Sequence, residues 1–198
     1  TPGSVSLAAT YTLPNTGRGV AFSPDGNYIA IGNGGSPNFT LLDHTTPGSV
    51  SLAATYTLPD DGFSVAFSPD GNYIAVGHNG SPFFTLLDHT TPGSVSLAAT
   101  YTVSFIGRGV AFSPDGDYIA VGHSSGAEFT LLDHTTPGSV SLAATYQLPS
   151  TGNDVAFSPD GDYIAVAHAN NPNFTLLDHT TPGSVSLAAT YTLPNTGR

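Results

Sequence analysis

The sequence predicts an all-β fold made of four repeated, four-stranded antiparallel sheets. Three observations support this prediction. Each copy contains four short runs rich in Val, Ile, Phe, Tyr and Thr, the residues that favour strands. Gly- and Pro-rich turn signals separate the runs, and no stretch has a helical period. The segment TPGSVSLAATY recurs every 45 residues, beginning at Thr1, Thr46, Thr91, Thr136 and Thr181.

The second copy shows how each unit is organised. Its four runs are, in order, SLAATYTL (51–58), SVAFS (64–68), YIAVG (73–77) and FTLLD (84–88). PDG (69–71) is a strong turn signal, because Pro presets φ and Asp-Gly completes a tight turn. HTTPGS (89–94) forms the turn after the last run. Four short strands in a repeat of this length are typical of one blade of a β-propeller.

The motif VAFSPDGNYIAVG followed by FTLLD resembles the WD-repeat (Trp-Asp) propeller pattern in every copy. The Trp of that pattern is replaced by leucine at Leu42, Leu87, Leu132 and Leu177. The Asp is present at Asp43, Asp88, Asp133 and Asp178. The Gly-His pair of the family is absent, so its His–Asp–Ser/Thr–Trp hydrogen-bond network is not carried over. The resemblance implies blades whose strands run a, b, c and d from the axis outwards. The sequence is also similar to looser propeller repeats of bacterial and phage secreted or structural proteins.

In this lettering each copy begins with strand d, so the chain has five d strands and four of each other strand. We expect a single repeat array over residues 1–198. Its predicted parts are an extra d strand and loop (1–18), blade 1 (19–63), blade 2 (64–108), blade 3 (109–153) and blade 4 (154–198).

The spare strand raises a question of closure, since the first and last eighteen residues are identical. Either Ser4–Leu13 or Ser184–Leu193 completes the last blade beside Phe174–Asp178, and the other copy is left over. Propellers usually have about 4–8 blades. Three arrangements therefore stay open: four blades that close alone, two chains that form an eight-bladed ring, or part of a longer array.

The differences between copies are confined to two windows, apart from one Asn/Asp alternation. Of 45 positions, 29 are identical in all four copies and 16 differ. The first window (12–19 in the first copy) enters strand a, and the second (31–38) leaves strand b. Because a and b form a hairpin, both windows are expected at one end of the propeller. Random drift alone would also change the loop-like HTTPGS turn, which is invariant, so the clustering favours a recognition surface. The alternative is drift in the variable loops, with the invariant face held constant by packing or assembly.

We therefore predict a propeller module that binds a surface glycan or protein through these variable loops. Aromatic and Arg side chains are typical of binding hot spots, and small polar residues give adaptable hydrogen bonds. The predicted ligand-binding residues are Asn15, Arg18, Asn38, Asp60, Asp61, Phe63, Phe83, Phe105, Ile106, Arg108, Glu128, Asn153, Asp154 and Asn173. The alternative is a structural protein that assembles into a fibre, spike or oligomeric ring through its invariant surfaces and spare strand. Self-association is expected in that case.

Two sets of histidines were weighed as metal ligands or catalytic groups. One set follows the Asp of strand c; the other ends strand b, where the first copy has Asn33 instead. A ring of imidazoles would suit a metal. Asn33 breaks one ring, however, and an identical Asp-His dyad in every blade indicates structure. We predict no metal, no cofactor and no catalytic residue, and hence a protein that is not an enzyme.

Composition limits the partners. Charged residues are 9% of the chain, and three arginines stand against 14 acids to give a net charge of −11. Such a chain should repel nucleic acid and anionic lipid. No apolar run approaches the roughly 20 residues of a membrane span, so insertion is not expected. Low charge together with abundant Thr, Ser and Gly favours an extracellular, virion-surface or cell-surface location.

Overall fold

The computed structural model describes residues 6–126 and 128–193, which form sixteen strands in four antiparallel sheets. Each sheet is one blade, and its strands lie side by side in chain order. Blade 1 contains β1 (Thr16–Phe22), β2 (Tyr28–Gly34), β3 (Phe39–Asp43) and β4 (Ser51–Tyr56). Blade 2 contains β5 (Gly62–Phe67), β6 (Tyr73–His78), β7 (Phe83–Asp88) and β8 (Ser96–Thr102).

The other two blades repeat this order. Blade 3 contains β9 (Gly107–Phe112), β10 (Tyr118–His123), β11 (Glu128–Asp133) and β12 (Ser141–Gln147). Blade 4 contains β13 (Gly152–Phe157), β14 (Tyr163–His168), β15 (Phe174–Asp178) and β16 (Ser186–Tyr191). The prediction of an all-β propeller of four-stranded blades is confirmed. Nothing in the described part of the chain forms a helix that is both long and apolar enough to span a bilayer.

A network of short hydrogen bonds closes each hairpin between strands a and b. In blade 1 the Ser23 amide donates to the Tyr28 carbonyl at 2.9 Å. The Ser23 hydroxyl donates to Asp25 Oδ1 at 2.6 Å, and the Asn27 amide donates to the same oxygen at 3.0 Å. The Ser23 hydroxyl and the Asn27 amide together hold the pKa of Asp25 below its usual range. The Ser-Pro-Asp-Gly turn is thus specified by its own side chains.

Apolar side chains from consecutive blades form one core cluster at each junction. At the first junction Phe39 and Leu41 of blade 1 join Val65 and Ile74 of blade 2, and each is less than a tenth exposed. Equivalent clusters join blades 2 and 3 and blades 3 and 4. Successive side chains of a strand point to opposite faces of the sheet, and in an internal blade both faces are covered by neighbouring blades.

The invariant HTTPGS turn also joins blades. The His89 ring lies 4.9 Å from the Tyr28 ring of the preceding blade and 5.7 Å from the Phe67 ring, measured between centroids. His89 Nδ1 is hydrogen-bonded to the Gly71 carbonyl at 2.9 Å. His134 and His179 make the corresponding contacts. These contacts of the histidine support the alternative that packing between blades holds this turn constant.

The four blades form an open arc within the described residues. Extensive strand contacts link consecutive blades, and none of comparable extent links blade 4 to blade 1. The two end faces are consequently uncovered. Val20 of blade 1 is 67% exposed, whereas its counterpart Val65 is 7% exposed. Tyr163 of blade 4 is 37% exposed, whereas its counterpart Tyr118 is 9% exposed. In this structure, therefore, four blades do not close alone.

The C-terminal copy of the repeated segment completes blade 4, where β16 pairs with β15 from Phe174↔Tyr191 to Asp178↔Ser186. Residues 6–15 lie outside the sixteen strands, and residues 1–5 and 194–198 lie outside the described residues. An extra outer strand at the N-terminus stays a prediction.

Candidate functional site

The register of the a–b hairpins brings the two variable windows together. Gly62 at the start of strand a pairs with His78 at the end of strand b in blade 2. The same pairing joins Gly17 to Asn33 in blade 1. Both windows therefore meet at the open end of each hairpin, away from the Ser-Pro-Asp-Gly turns.

The innermost strands line a recess at this end of the arc. The recess has a volume of about 390 Å³. We call it the inner recess. It is lined by Gly19, Val20, Phe63, Ser64, Val65, Arg108, Val110, Asn153 and Asp154. Three blades contribute the same repeat position to its wall: Phe63, Arg108 and Asn153. Near-identical blades thus present three different side chains to one space.

Phe63 organises the positive charges beside the inner recess. The Arg18 guanidinium carbon lies 4.4 Å from the centroid of the Phe63 ring, and that of Arg108 lies 5.3 Å away. Arg18 also forms an ion pair with Asp61, with an N–O distance of 2.7 Å. Asp61 in turn accepts a hydrogen bond from the Gly35 amide at 2.7 Å. These contacts hold Arg18 in place against the ring.

Arg108 has donors left for a ligand. Across residues 6–126 and 128–193, Arg18–Asp61 is the single ion pair. Arg108 is exposed and has no carboxylate partner in that part of the chain. A guanidinium has five N–H donors, and the ring of Phe63 satisfies none of them as a hydrogen bond.

Asn153 and Asp154 supply acceptors on the opposite wall. Both side chains are exposed, and Asp154 Oδ1 accepts a hydrogen bond from the Val155 amide at 3.0 Å. The inner recess therefore combines a fixed aromatic ring, a cationic donor, an amide and a carboxylate.

The structure brings six of the fourteen predicted site residues together and disperses the others. The six at or beside the inner recess are Arg18, Asp61, Phe63, Arg108, Asn153 and Asp154. The eight elsewhere are Asn15, Asn38, Asp60, Phe83, Phe105, Ile106, Glu128 and Asn173.

Several of these eight have structural contacts instead. Asn38 is only 5% exposed. Asn15 Nδ2 donates to the Ser36 carbonyl at 2.9 Å, and Asn173 Oδ1 accepts from the Leu193 amide at 3.1 Å. Phe83 has a positive φ of 69° and packs against the core between blades 2 and 3. Phe105 is an exposed aromatic at the loop surface, at 39%.

The remaining three also lie along strand and loop edges. Asp60 accepts a hydrogen bond from Asn79 Nδ2 at 3.0 Å. The Ile106 carbonyl accepts from the Ser124 amide at 3.0 Å. Glu128 is half-buried and pairs in register with Gln147. The variable windows therefore supply two kinds of residue. Some lie together at the inner recess, and the others make contacts that shape the loops.

Of the histidines at the end of strand b, His78 and His168 each contact a threonine of the adjacent strand c through Nε2. His78 and His123 are fully buried, and burial lowers the pKa of each to about 4. His78 Nε2 lies 2.9 Å from Thr85 Oγ1. Asn33 of blade 1 makes the same contact, donating from Nδ2 to Thr40 Oγ1 at 2.7 Å. Among the described residues, no three His, Asp or Glu side chains are grouped so as to hold a metal ion.

A second recess, which the sequence analysis missed, lies at the invariant end of the innermost strands. Its volume is about 400 Å³, and the Ala-Phe-Ser-Pro segment of every blade contributes to its mostly apolar lining. The signal was present in the sequence as an invariant motif. Because the motif is identical in all four copies, the differences between copies do not indicate this recess.

Comparison with known proteins supports the strand pattern. The model of the WD domain, G-beta repeat, matches residues 35–84, which cross from blade 1 into blade 2. The described chain forms four antiparallel blades, each with its strands in chain order. The chain is a WD-repeat-like β-propeller. No curated protein sequence matches this propeller.

Solved structures with the same fold come from several bacteria. A protein of Bacteroides uniformis, provisionally named a 6-phosphogluconolactonase, has a TM-score of 0.78 at 15% identity, over 90% of this propeller and 56% of that chain. The periplasmic gluconolactonase PpgL of Pseudomonas aeruginosa has a TM-score of 0.73 at 18% identity, over 89% and 54%. Hydrazine synthase of Kuenenia stuttgartiensis has a TM-score of 0.73 at 19% identity, over 98% and 52%. The propeller thus spans just over half the length of each.

These structures correct one prediction. The sequence analysis concluded that the protein is not an enzyme, yet two proteins with this architecture are named as gluconolactonases. The exclusion of catalysis is therefore wrong as a conclusion from the propeller architecture, because proteins with that architecture carry the names of enzymes. At 15% and 18% identity, the likeness shows the fold alone and assigns no activity to this chain.

Proposed function

We propose that this propeller is a recognition module that binds a glycan in the inner recess. The observation that carries the proposal is the convergence of Phe63, Arg108, Asn153 and Asp154 on one space, although they come from three blades. These are positions at which otherwise near-identical copies differ. A surface location, as the composition predicts, would bring such ligands within reach.

The chemistry of the wall suits a polyhydroxylated ligand. Sugar hydroxyl groups both donate and accept, so a sugar site needs donors and acceptors at short range. Arg108 supplies the donors, while Asn153 and Asp154 supply acceptors. Phe63 lies between the two arginines and limits their motion, which reduces the entropy lost on binding.

The repeat itself provides the variants for a test. Arg108→Asn introduces the residue that blade 4 has at the same position, and Asp154→Ser introduces that of blade 2. Each should weaken binding about 10-fold or more, because a hydrogen bond to a charged group contributes about 1.5–3 kcal/mol. Binding is measured on an array of neutral and acidic glycans, then by titration calorimetry with the glycan retained best.

Asp117→Asn is the matched control. It lies in the invariant turn at the opposite end and introduces the residue that blades 1 and 2 have there. It removes one charge but should leave affinity unchanged. Equal affinity in all three variants, or a loss confined to Asp117→Asn, would contradict the proposal.

A second candidate function is hydrolysis of a sugar lactone in the same recess. It is favoured by the names of two structural neighbours, together with a carboxylate and a guanidinium in one space. The Asp154 carboxylate would accept a proton from water as its oxygen bonds to the lactone carbonyl carbon. Arg108 would stabilise the resulting oxyanion, and as the ring C–O bond breaks, the protonated Asp154 would return its proton to the leaving ring oxygen.

Acid release from gluconolactone, followed by pH-stat, tests this second candidate. A rate above the spontaneous background that disappears in Asp154→Asn and persists in Asp117→Asn would support it. A rate no faster than the background rejects hydrolysis and leaves the binding proposal to its own test.

A further inference from the structure

The end faces of the arc are the unpaired halves of an interface that the molecule already contains three times. At each internal junction, apolar side chains of one blade pack against the apolar face of the next blade. Within the described residues, no blade covers the free face of blade 1 or that of blade 4. Because the repeats are near-identical, each free face has the chemistry that fits the other.

Exposure marks the two free faces clearly. On blade 1, Phe22 is 59% exposed, whereas its counterpart Phe67 is 9% exposed inside the first junction. On blade 4, the Phe174 and Leu176 side chains are only half-buried, whereas Phe129 and Leu131 of blade 3 are fully buried. Uncovered apolar side chains in such number favour association.

The tyrosine–histidine ring contact between consecutive blades also lacks one partner at each end of the arc. Tyr28, Tyr73 and Tyr118 each pack against a histidine of the following blade, at centroid distances of 4.9 to 5.0 Å. Tyr163 is the fourth tyrosine of this set and is exposed. His44 is the fourth histidine, and within the described residues its ring contact is with Phe22 of its own blade, at 5.8 Å.

We propose that a second copy of this chain covers both faces, so that two copies form a closed ring of eight blades. Blade 4 of each copy packs against blade 1 of the other, with Tyr163 against His44 and Phe22. The interface is heterologous, and such interfaces form rings when the rotation closes. Eight blades lie within the usual range of propellers.

The length comparison is consistent with half a ring. The arc superimposes on just over half of larger proteins with TM-scores of 0.73 to 0.78. Its curvature is therefore that of a larger fold than four blades. The second copy would also bring its innermost strands to the inner recess, although this proposal rests on the end faces and not on the ligand.

The mass in solution tests the ring. Light scattering during size exclusion should give twice the chain mass of 20.1 kDa at micromolar concentration. Phe22→Asp and Tyr163→Asp should each give the mass of one chain, because each places a carboxylate in both interfaces of the ring. Both side chains are exposed in the single chain, so circular dichroism should show unchanged strand content.

Mixing the two variants gives the sharper result. A Phe22→Asp chain keeps an intact blade 4 face, and a Tyr163→Asp chain keeps an intact blade 1 face. The mixture should therefore recover a two-chain species through one unaltered interface. Leu97→Asp is the control, since Leu97 is 52% exposed on an outer strand away from the end faces, and it should stay two-chain.

Three results would overturn the proposal. A wild-type chain that stays single shows that no second copy covers the faces. A Tyr163→Asp chain that still pairs shows that blade 4 takes no part. Particles that grow beyond two chains with concentration show an open filament instead of a ring.

Discussion

At the scale of the residue, the buried histidines at the ends of β6 and β10 are the groups most sensitive to pH. His78 and His123 have no exposed surface, and burial disfavours the charged imidazolium. Their pKa values are about 4 in the folded chain, compared with 6.5 for an ordinary histidine. Between these values the unfolded chain binds more protons, so stability is full above pH 6.5 and falls as the pH falls towards 4.

The double variant His78→Asn/His123→Asn should flatten this dependence. Blade 1 already has Asn33 at the same position, where it is fully buried and bonded to Thr40, so the fold accommodates the change. Each histidine accounts for up to about 3 kcal/mol of unfolding free energy lost by pH 4. Urea unfolding of the wild type and the double variant at pH 7, 5.5 and 4.5 measures this loss of unfolding free energy. An unchanged pH dependence in the double variant would contradict this assignment.

At the scale of the element, the glycine at the start of strand a in blades 2 and 3 lets each of these blades approach the preceding one. A Cβ on Gly62 would lie 2.6 Å from the Asn38 carbonyl oxygen, and one on Gly107 would lie 2.8 Å from the Phe83 carbonyl oxygen. Backbone atoms of a packed blade cannot move aside. This close contact explains the glycine of the variable window in blades 2 and 3.

Gly62→Ala should therefore lower the free energy of unfolding by about 1–3 kcal/mol, the usual cost of overpacking. Gly17→Ala is the matched control, because its nearest neighbour is a methyl group of Leu13, at 2.9 Å, and a side chain can turn away. Its loss should be clearly smaller. Thermal and urea unfolding of both variants provide the comparison, and equal losses would refute the packing explanation.

At the scale of the whole molecule, the arc behaves as a one-dimensional array in which the end blades lack one neighbour. Stability in such arrays is approximately a sum of repeat and interface terms, so end repeats open more readily. β6 is buried along its whole length, whereas β14 has exposed side chains at Tyr163 and Ala167. The two strands have almost the same sequence and differ in their surroundings.

Hydrogen exchange in the single-chain Phe22→Asp variant should show this difference. Amides of Tyr163–His168 should exchange at least about 10-fold faster than those of Tyr73–His78, because blade 4 opens without disrupting the centre. In the wild-type ring the difference should shrink. Uniform protection of both strands in the single chain would show that the four blades open as one unit.

Much of the fold was predictable because it is local and repeated. The period, the turn residues and the alternation of SLAATYTL specify four strands and their order without any long-range information. The site was predictable only in part. Pairing of Gly62 with His78 follows from the hairpin, but the distance from Phe63 to Arg108 depends on how blades pack. That packing also gives a reason for the constant histidine of HTTPGS, which the sequence left open between packing and assembly.

The sequence by itself determined the blade: its four strands, its Ser-Pro-Asp-Gly turn and the end at which its variable residues lie. Both copies of TPGSVSLAATYTLPNTGR have the same sequence, so only the tertiary structure decided which one completes blade 4. It is the C-terminal copy, whose strand β16 pairs with β15. The tertiary structure also decided that the arc is open, leaving Val20 and Tyr163 exposed. Curvature is a sum of small rotations between packed blades, and no local sequence pattern specifies that sum.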